Sequence, residues 1–205
     1  MTDASDIPLA DQRSAEILDS ARAAFAEKGF DGASMQDIAR KAGMSVGNFY
    51  RYFPSKAAIV EALIALDMAE MEQDFADILN NADPLKALRA TIERKITEAD
   101  CQKDGQIWAE IAAAAMRKPE IGDAARRMEV QIATLLTTIF ARVTGLSTDE
   151  AQIRWAAHAQ LLIMLVKSCS MQPPDTPVTA DLKCLLMRNI DLTLQDIATS
   201  AAAKG

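Results

Sequence analysis

The 205-residue chain has one histidine, His158, and three cysteines, Cys101, Cys169 and Cys184. A single histidine excludes any two-histidine metal motif within one chain. The cysteines lie too far apart for a metal pattern, and their odd number argues against a disulfide framework, so a reducing cytoplasm is the simplest setting. Redox sensing through one of these thiols is a separate option that no motif supports. No apolar run approaches the roughly 20 residues of a membrane span; the longest, Leu161–Val166, reads as a buried helix segment. The first ten residues, MTDASDIPLA, lack the basic start and long apolar stretch of a signal peptide and read as a disordered tail. No alternating strand pattern appears, while Ala, Leu, Ile and Met dominate and Gly and Pro sit at joints. These features predict an all-α fold, long enough to bury a full core. No carboxylate–histidine pair, metal set or activated nucleophile marks an enzyme built on such a bundle, and no cofactor is implied.

Aromatic residues are scarce as well, at 5% of the chain, yet Phe49, Tyr50, Tyr52 and Phe53 fall within five positions. They close the segment SMQDIARKAGMSVGNFYRYFPSK, residues 34–56. Ser34 followed by Asp37 fits a capping box, so a helix starts at Met35, with Met35, Ile38, Ala39 and Ala42 on one face and Gly43 ending it. A second helix starts after Ser45 and runs to about Tyr52, before Pro54. Two short helices joined by a glycine turn form a helix-turn-helix, whose second helix reads base edges in the major groove of DNA. Gly47, one turn in, costs roughly 1 kcal/mol relative to alanine, a cost that close approach to another surface would explain. Phe49 and Phe53 share a face and suit a core. Tyr50 and Tyr52 point to either side of it, either as further core or as hydroxyls for phosphates. Lys56 follows the cap Ser55, where a cation opposes the helix dipole; it is either an ordinary solvated lysine or a phosphate contact.

The run IARKAGMSVGNFYRYFPSK resembles the helix-turn-helix signature of the tetracycline-repressor (TetR) family of bacterial transcriptional regulators. The matching positions are Ile38-Ala39, Ala42-Gly43, Ser45, Gly47, Tyr50, Phe53 and Lys56; Tyr52 stands where many members carry histidine. The preceding helix, 11–29, has the stripe Ile17, Leu18, Ala21, Ala24 and Phe25, and its ending from Phe25 through Gly29 to Phe30 also matches. The resemblance implies a DNA-binding head over residues 11–57 and a helical ligand-binding and dimerisation domain over 58–205. In the head, Ser45, Val46, Gly47 and Asn48 would face the groove. Asn48 suits adenine and Val46 a thymine methyl. Ser34, Tyr50, Tyr52 and Lys56 would hold phosphates, with Arg51 nearby.

Beyond the head the pattern predicts helices over 55–80, 84–102, 106–117, 119–144, 148–171 and 180–199, with Thr148 and Asp149 capping the fifth. The last two carry more apolar residues than one wet face allows. In 148–171 these include Ile153, Leu161, Met164 and Leu165. In 180–199 they include Leu182, Leu186, Ile190 and Ile197. Packing against a second copy would cover them. The resemblance implies the same homodimer, which would present two reading helices to a palindromic operator. It also implies a small-molecule pocket in the middle helices, with candidate walls Phe75, Leu79, Ile92, Ile96, Trp108, Ile111, Met116, Met128, Ile132, Leu135, Trp155 and His158. Each is also an ordinary core residue, and the two indoles stand out because a large ring with one N–H suits a pocket.

The formal charge of −7 does not oppose DNA binding, because it is unevenly spread. Residues 34–56 carry four basic side chains against one acid, whereas from Glu61 onward 21 acids outnumber 15 bases. Such a distribution favours one docking orientation. The expected function is a cytoplasmic repressor released from its operator by a small-molecule effector. The alternative is a helical interaction or ligand-binding module that has lost DNA binding.

Overall fold

A computed structural model describes residues 9–97, 99–171 and 180–202. Residues 1–8, the QPPDTPVT stretch at 172–179 and the Cys101 side chain, each read above from sequence, lie outside the described residues. Those described form nine α-helices: α1 (Leu9–Gly32), α2 (Met35–Lys41), α3 (Val46–Tyr52), α4 (Lys56–Asn80), α5 (Pro84–Thr97), α6 (Ala99–Ala115), α7 (Pro119–Thr144), α8 (Thr148–Ser170) and α9 (Ala180–Ala202). None of them is long and apolar enough to cross a membrane on its own.

The chain divides into two compact units. One contains residues to Leu66 together with Ile107–Ala125; the other contains Asp67–Gln106 and Arg126 onward. The expected cut at residue 57 therefore takes in less than the first unit, which recruits the second half of α6 and the start of α7. A contact between segments 80 residues apart leaves no trace in local patterning.

In the first unit α1 buries Ile17, Leu18, Ala21, Ala24 and Phe25. Its helical geometry is interrupted at Gly29 (φ 72, ψ 163), which lets Phe30 turn inward so that its ring lies 5.2 Å from that of Phe25. Ser34 caps α2 through the full capping box with Asp37. At the other end Gly43 (φ 63) permits the paired bonds Gly43 N–H to Arg40 O (3.1 Å) and Met44 N–H to Ala39 O (2.9 Å). These satisfy carbonyls that the end of a helix leaves open. Ser45 caps α3, and Phe53 leaves it in extended geometry, as a residue before proline must.

The core of the second unit is drawn from α4, α5, α7, α8 and α9, with Phe75, Leu88, Ile92, Phe140, Trp155, Leu162, Ile190 and Ile197 among its buried members. A paired contact from the Arg89 guanidinium to Asp191 (2.6 and 3.3 Å) joins α5 to α9. Two expectations need correction. The expected break at 103–106 lies inside α6. Gly105 there is a contact and not a terminator, because an added Cβ would come within 1.7 Å of the Ser170 carbonyl oxygen. The cap of α8 is Ser147, which forms a capping box with Glu150, one residue ahead of the expected Thr148.

Candidate nucleic-acid interface

The segment α2–turn–α3 is held to the rest of the first unit by one face only. Ile38 and Ala39 of α2 are buried, and so are Phe49 and Phe53, whose rings lie 6.2 Å apart. Three cations bind α2 to α1: Arg13 reaches the Ala42 carbonyl (3.4 Å), Lys41 pairs with Glu27 (2.6 Å) and Lys28 with Asp37 (2.8 Å). The hydrogen bond from Lys28, then those from the Ser34 hydroxyl and backbone, hold the Asp37 carboxyl well below the usual carboxylate range.

The opposite face is open. Ser34, Ser45, Val46, Gly47, Asn48, Tyr50, Arg51 and Tyr52 are all exposed. Phe49 is 0% exposed against 47% for Tyr50 and 39% for Tyr52, so the aromatic cluster splits by direction as its spacing predicts. An added Cβ at Gly47 would meet nothing within 4 Å, so no packing inside the protein requires a glycine there.

Two of the expected phosphate contacts are engaged otherwise. The Ser34 hydroxyl donates to Asp37 Oδ2 (2.6 Å) and accepts from the Asp37 N–H (3.1 Å). Its single proton is thereby committed to a carboxylate. Lys56 is half-buried and points back into the protein: Nζ donates to the carbonyls of Phe30 (2.6 Å) and Asp31 (3.2 Å) and lies 4.8 Å from the centre of the Phe30 ring. Burial pushes its ammonium below the ordinary lysine value. The sequence pattern marks Lys56 but cannot show which way its side chain folds back.

Residues 17–63 match the model of the family described as bacterial regulatory proteins, tetR family. The chain carries a tetR-family head. Over 88 residues it is 38% identical to the HTH-type transcriptional regulator EthR of Mycolicibacterium smegmatis, a span covering 42% of this chain and 41% of that protein. Curated relatives are matched over about half their length or less. The fold reaches further than the sequence likeness. Salmonella enterica GusR superposes with a TM-score of 0.75 at 22% identity, covering 93% of this chain and 100% of GusR. AibR, in complex with isovaleryl coenzyme A and operator DNA, gives 0.63 at 18% identity, covering 88% of this chain and 97% of AibR. Over the whole chain, then, the helical fold is similar to that of GusR and AibR.

The remaining candidates fall into two groups. Phe75, Ile96 and Trp155 lie in the core of the second unit with Ile92, and Leu79, Ile132 and Leu135 pack against it. Met128 is half-buried on α7. Trp155 and His158 meet edge to face with ring centres 4.8 Å apart, and Trp155 Nε1 and His158 Nδ1 are buried without a hydrogen-bond partner. Trp108 and Ile111 belong instead to the first unit, and so does Met116, which at 89% exposed is no pocket wall.

Of the expected dimer residues, Ile153, Leu161, Met164 and Leu182 are exposed. Leu165 and Leu186 are half-buried against the unit's own core, and Ile190 and Ile197 are fully inside it. The last two therefore cannot be an interface. α9 has two apolar stripes, and sequence alone does not say which faces in. The outward one is Leu182, Leu185 and Leu192; of these, Leu182 alone is among the residues expected at the interface from sequence. Cys169 is buried, which raises its thiol pKa, whereas Cys184 is exposed.

Proposed function

We propose that this protein is a transcriptional regulator, a repressor that binds a palindromic operator as a homodimer and leaves it when a small-molecule effector binds. The observation that carries this reading is Gly47. It sits in the first turn of a seven-residue helix, exposed, with nothing in the protein near its missing side chain. Helix stability disfavours glycine there, so the reason for it lies outside the protomer. Backbone contact with the floor or wall of a major groove supplies one. Ser45, Val46 and Asn48 would read bases beside it, and Tyr50, Tyr52 and Arg51 would hold phosphates on either side. Ser34 and Lys56 contribute by holding the bend and cap that set these groups in place.

The second unit supports the effector. An unpaired buried N–H or ring nitrogen costs about 1–3 kcal/mol. Trp155 Nε1 and His158 Nδ1 are such a pair. A polar ligand group meeting them would recover that cost, and would shift affinity for DNA only by binding the free and bound states unequally. AibR, a protein of similar fold in complex with isovaleryl coenzyme A and operator DNA, supports this reading. A protein acting on genomic DNA in a bacterium works in the cytoplasm.

The experiment is one substitution read two ways. Gly47→Ala is expected to stabilise the head by about 0.5–1 kcal/mol in chemical denaturation, while weakening duplex binding in gel shifts. A variant that is more stable and binds as tightly as the parent contradicts the reading.

A further inference from the structure

Five charged side chains converge on the bend between α1 and α2, and the proposed function gives a part to Lys56 alone among them. We infer that Glu110 is a positioning residue for DNA binding: from α6 it holds the Phe30 N–H, while Lys56 holds the Phe30 and Asp31 carbonyls and Arg117 and Lys118 hold the Asp31 carboxylate, and so it fixes the direction in which α2 and α3 leave α1. This rests on the proposed function.

Glu110 Oε2 accepts the Phe30 N–H at 2.9 Å. A Cβ on Gly29 would lie 3.1 Å from the same oxygen, so the close approach of the carboxylate and the left-handed bend both favour the missing side chain. Lys56 holds the carbonyls of Phe30 and Asp31 from the other side. Arg117 (2.9 Å) and Lys118 (3.1 Å) pair with the Asp31 carboxylate, and Lys118 Nζ also lies 5.8 Å from the centre of the Phe30 ring. The hydrogen bonds from Arg117, then Lys118, hold the Asp31 carboxyl below its ordinary value. The peptide of the bend thus has its N–H on α6 and its carbonyls on α4.

The exposed ion pairs in this cluster add little stability. Their directionality matters more. A carboxylate accepting a backbone N–H and an ammonium donating to carbonyls define an orientation, and an operator-bound dimer must hold two heads at a fixed separation. Misplacing a head changes which half-site spacing fits, even when every base contact is intact.

The test uses the full chain. An operator is obtained by selection from random duplexes with the parent. Affinity is then measured for it and for a version with the half-sites one base pair further apart, alongside amide exchange at Phe30. Glu110→Gln keeps an acceptor oxygen and is expected to stay within about threefold of the parent in all three. Glu110→Leu removes it, and about tenfold faster Phe30 exchange and about tenfold weaker operator binding are expected. The preference for the parental spacing should narrow too, because a loosened head adapts to either. If Glu110→Leu lowers affinity for both duplexes in equal proportion, or matches the parent throughout, the inference is overturned. Should Glu110→Leu not fold, Arg117→Gln and Asp31→Asn, both at exposed positions, are expected to narrow the same spacing ratio; an unchanged ratio overturns the inference. If the parent enriches no duplex, the proposed function fails and the positioning role with it; the Phe30 exchange contrast separates that outcome from failure of the grip itself.

Discussion

Asp37 does two jobs with one carboxylate. It closes the capping box on Ser34 and takes the ammonium of Lys28 from α1. Both hold it ionised, so its folded pKa lies below the ordinary 3.8. The sign follows: stability from the ionised form is complete above that ordinary value and is lost as pH falls through the lower, folded one. Asp37→Asn should therefore melt below the parent at neutral pH, and the gap should close on acidification below 3.8. A gap constant across the titration would show that charge is not what Asp37 contributes.

At this scale the sequence was informative wherever local geometry decides. The direction of Phe49 against Tyr50, the capping box and the helix break at Gly29 all follow from spacing over a few residues. Side chains that double back were not legible. Lys56 looks like a surface cation in any local pattern, and only its reach to Phe30 shows otherwise. Glu110 carries no local signal at all, since its partner is 80 residues away.

Among the elements, α2, α3, α4 and α7 fall where periodicity and caps place them. α6 does not, because Gly105 reads as a helix break in sequence and acts as a contact in space. The distinction has a measurable consequence. Gly105→Ala would press a methyl against the Ser170 carbonyl, from which its Cβ would stand only 1.7 Å away. The expected cost is about 1–3 kcal/mol or more, with the sign opposite to that of the same substitution at Gly47. A neutral or stabilised Gly105→Ala in denaturation would mean that the two helices are less tightly apposed than described. α9 teaches a related lesson: its two apolar stripes are equivalent as text, and only packing assigns Leu186, Ile190, Leu194 and Ile197 inward and Leu182, Leu185 and Leu192 outward.

For the whole molecule the outward apolar residues of α8 and α9 support the proposed second copy. Monomers scatter exposed apolar side chains singly, whereas here Leu161 and Met164 on one helix and Leu182, Leu185 and Leu192 on the next form rows. Leu185→Glu is expected to sediment as a folded monomer with unchanged helicity and to bind an operator at least about tenfold more weakly, because the second head no longer adds its contacts. A dimer that survives this change would move the interface elsewhere.

The most direct measurement of the central claim is selection by the unmodified protein from a pool of random duplexes. A paired, outward-facing α3 predicts enriched sequences with an inverted repeat, half-sites about one helical turn apart or a multiple of it, bound more weakly as salt rises. A pool that stays random after repeated rounds, or enriched sites without two-fold symmetry, would contradict it.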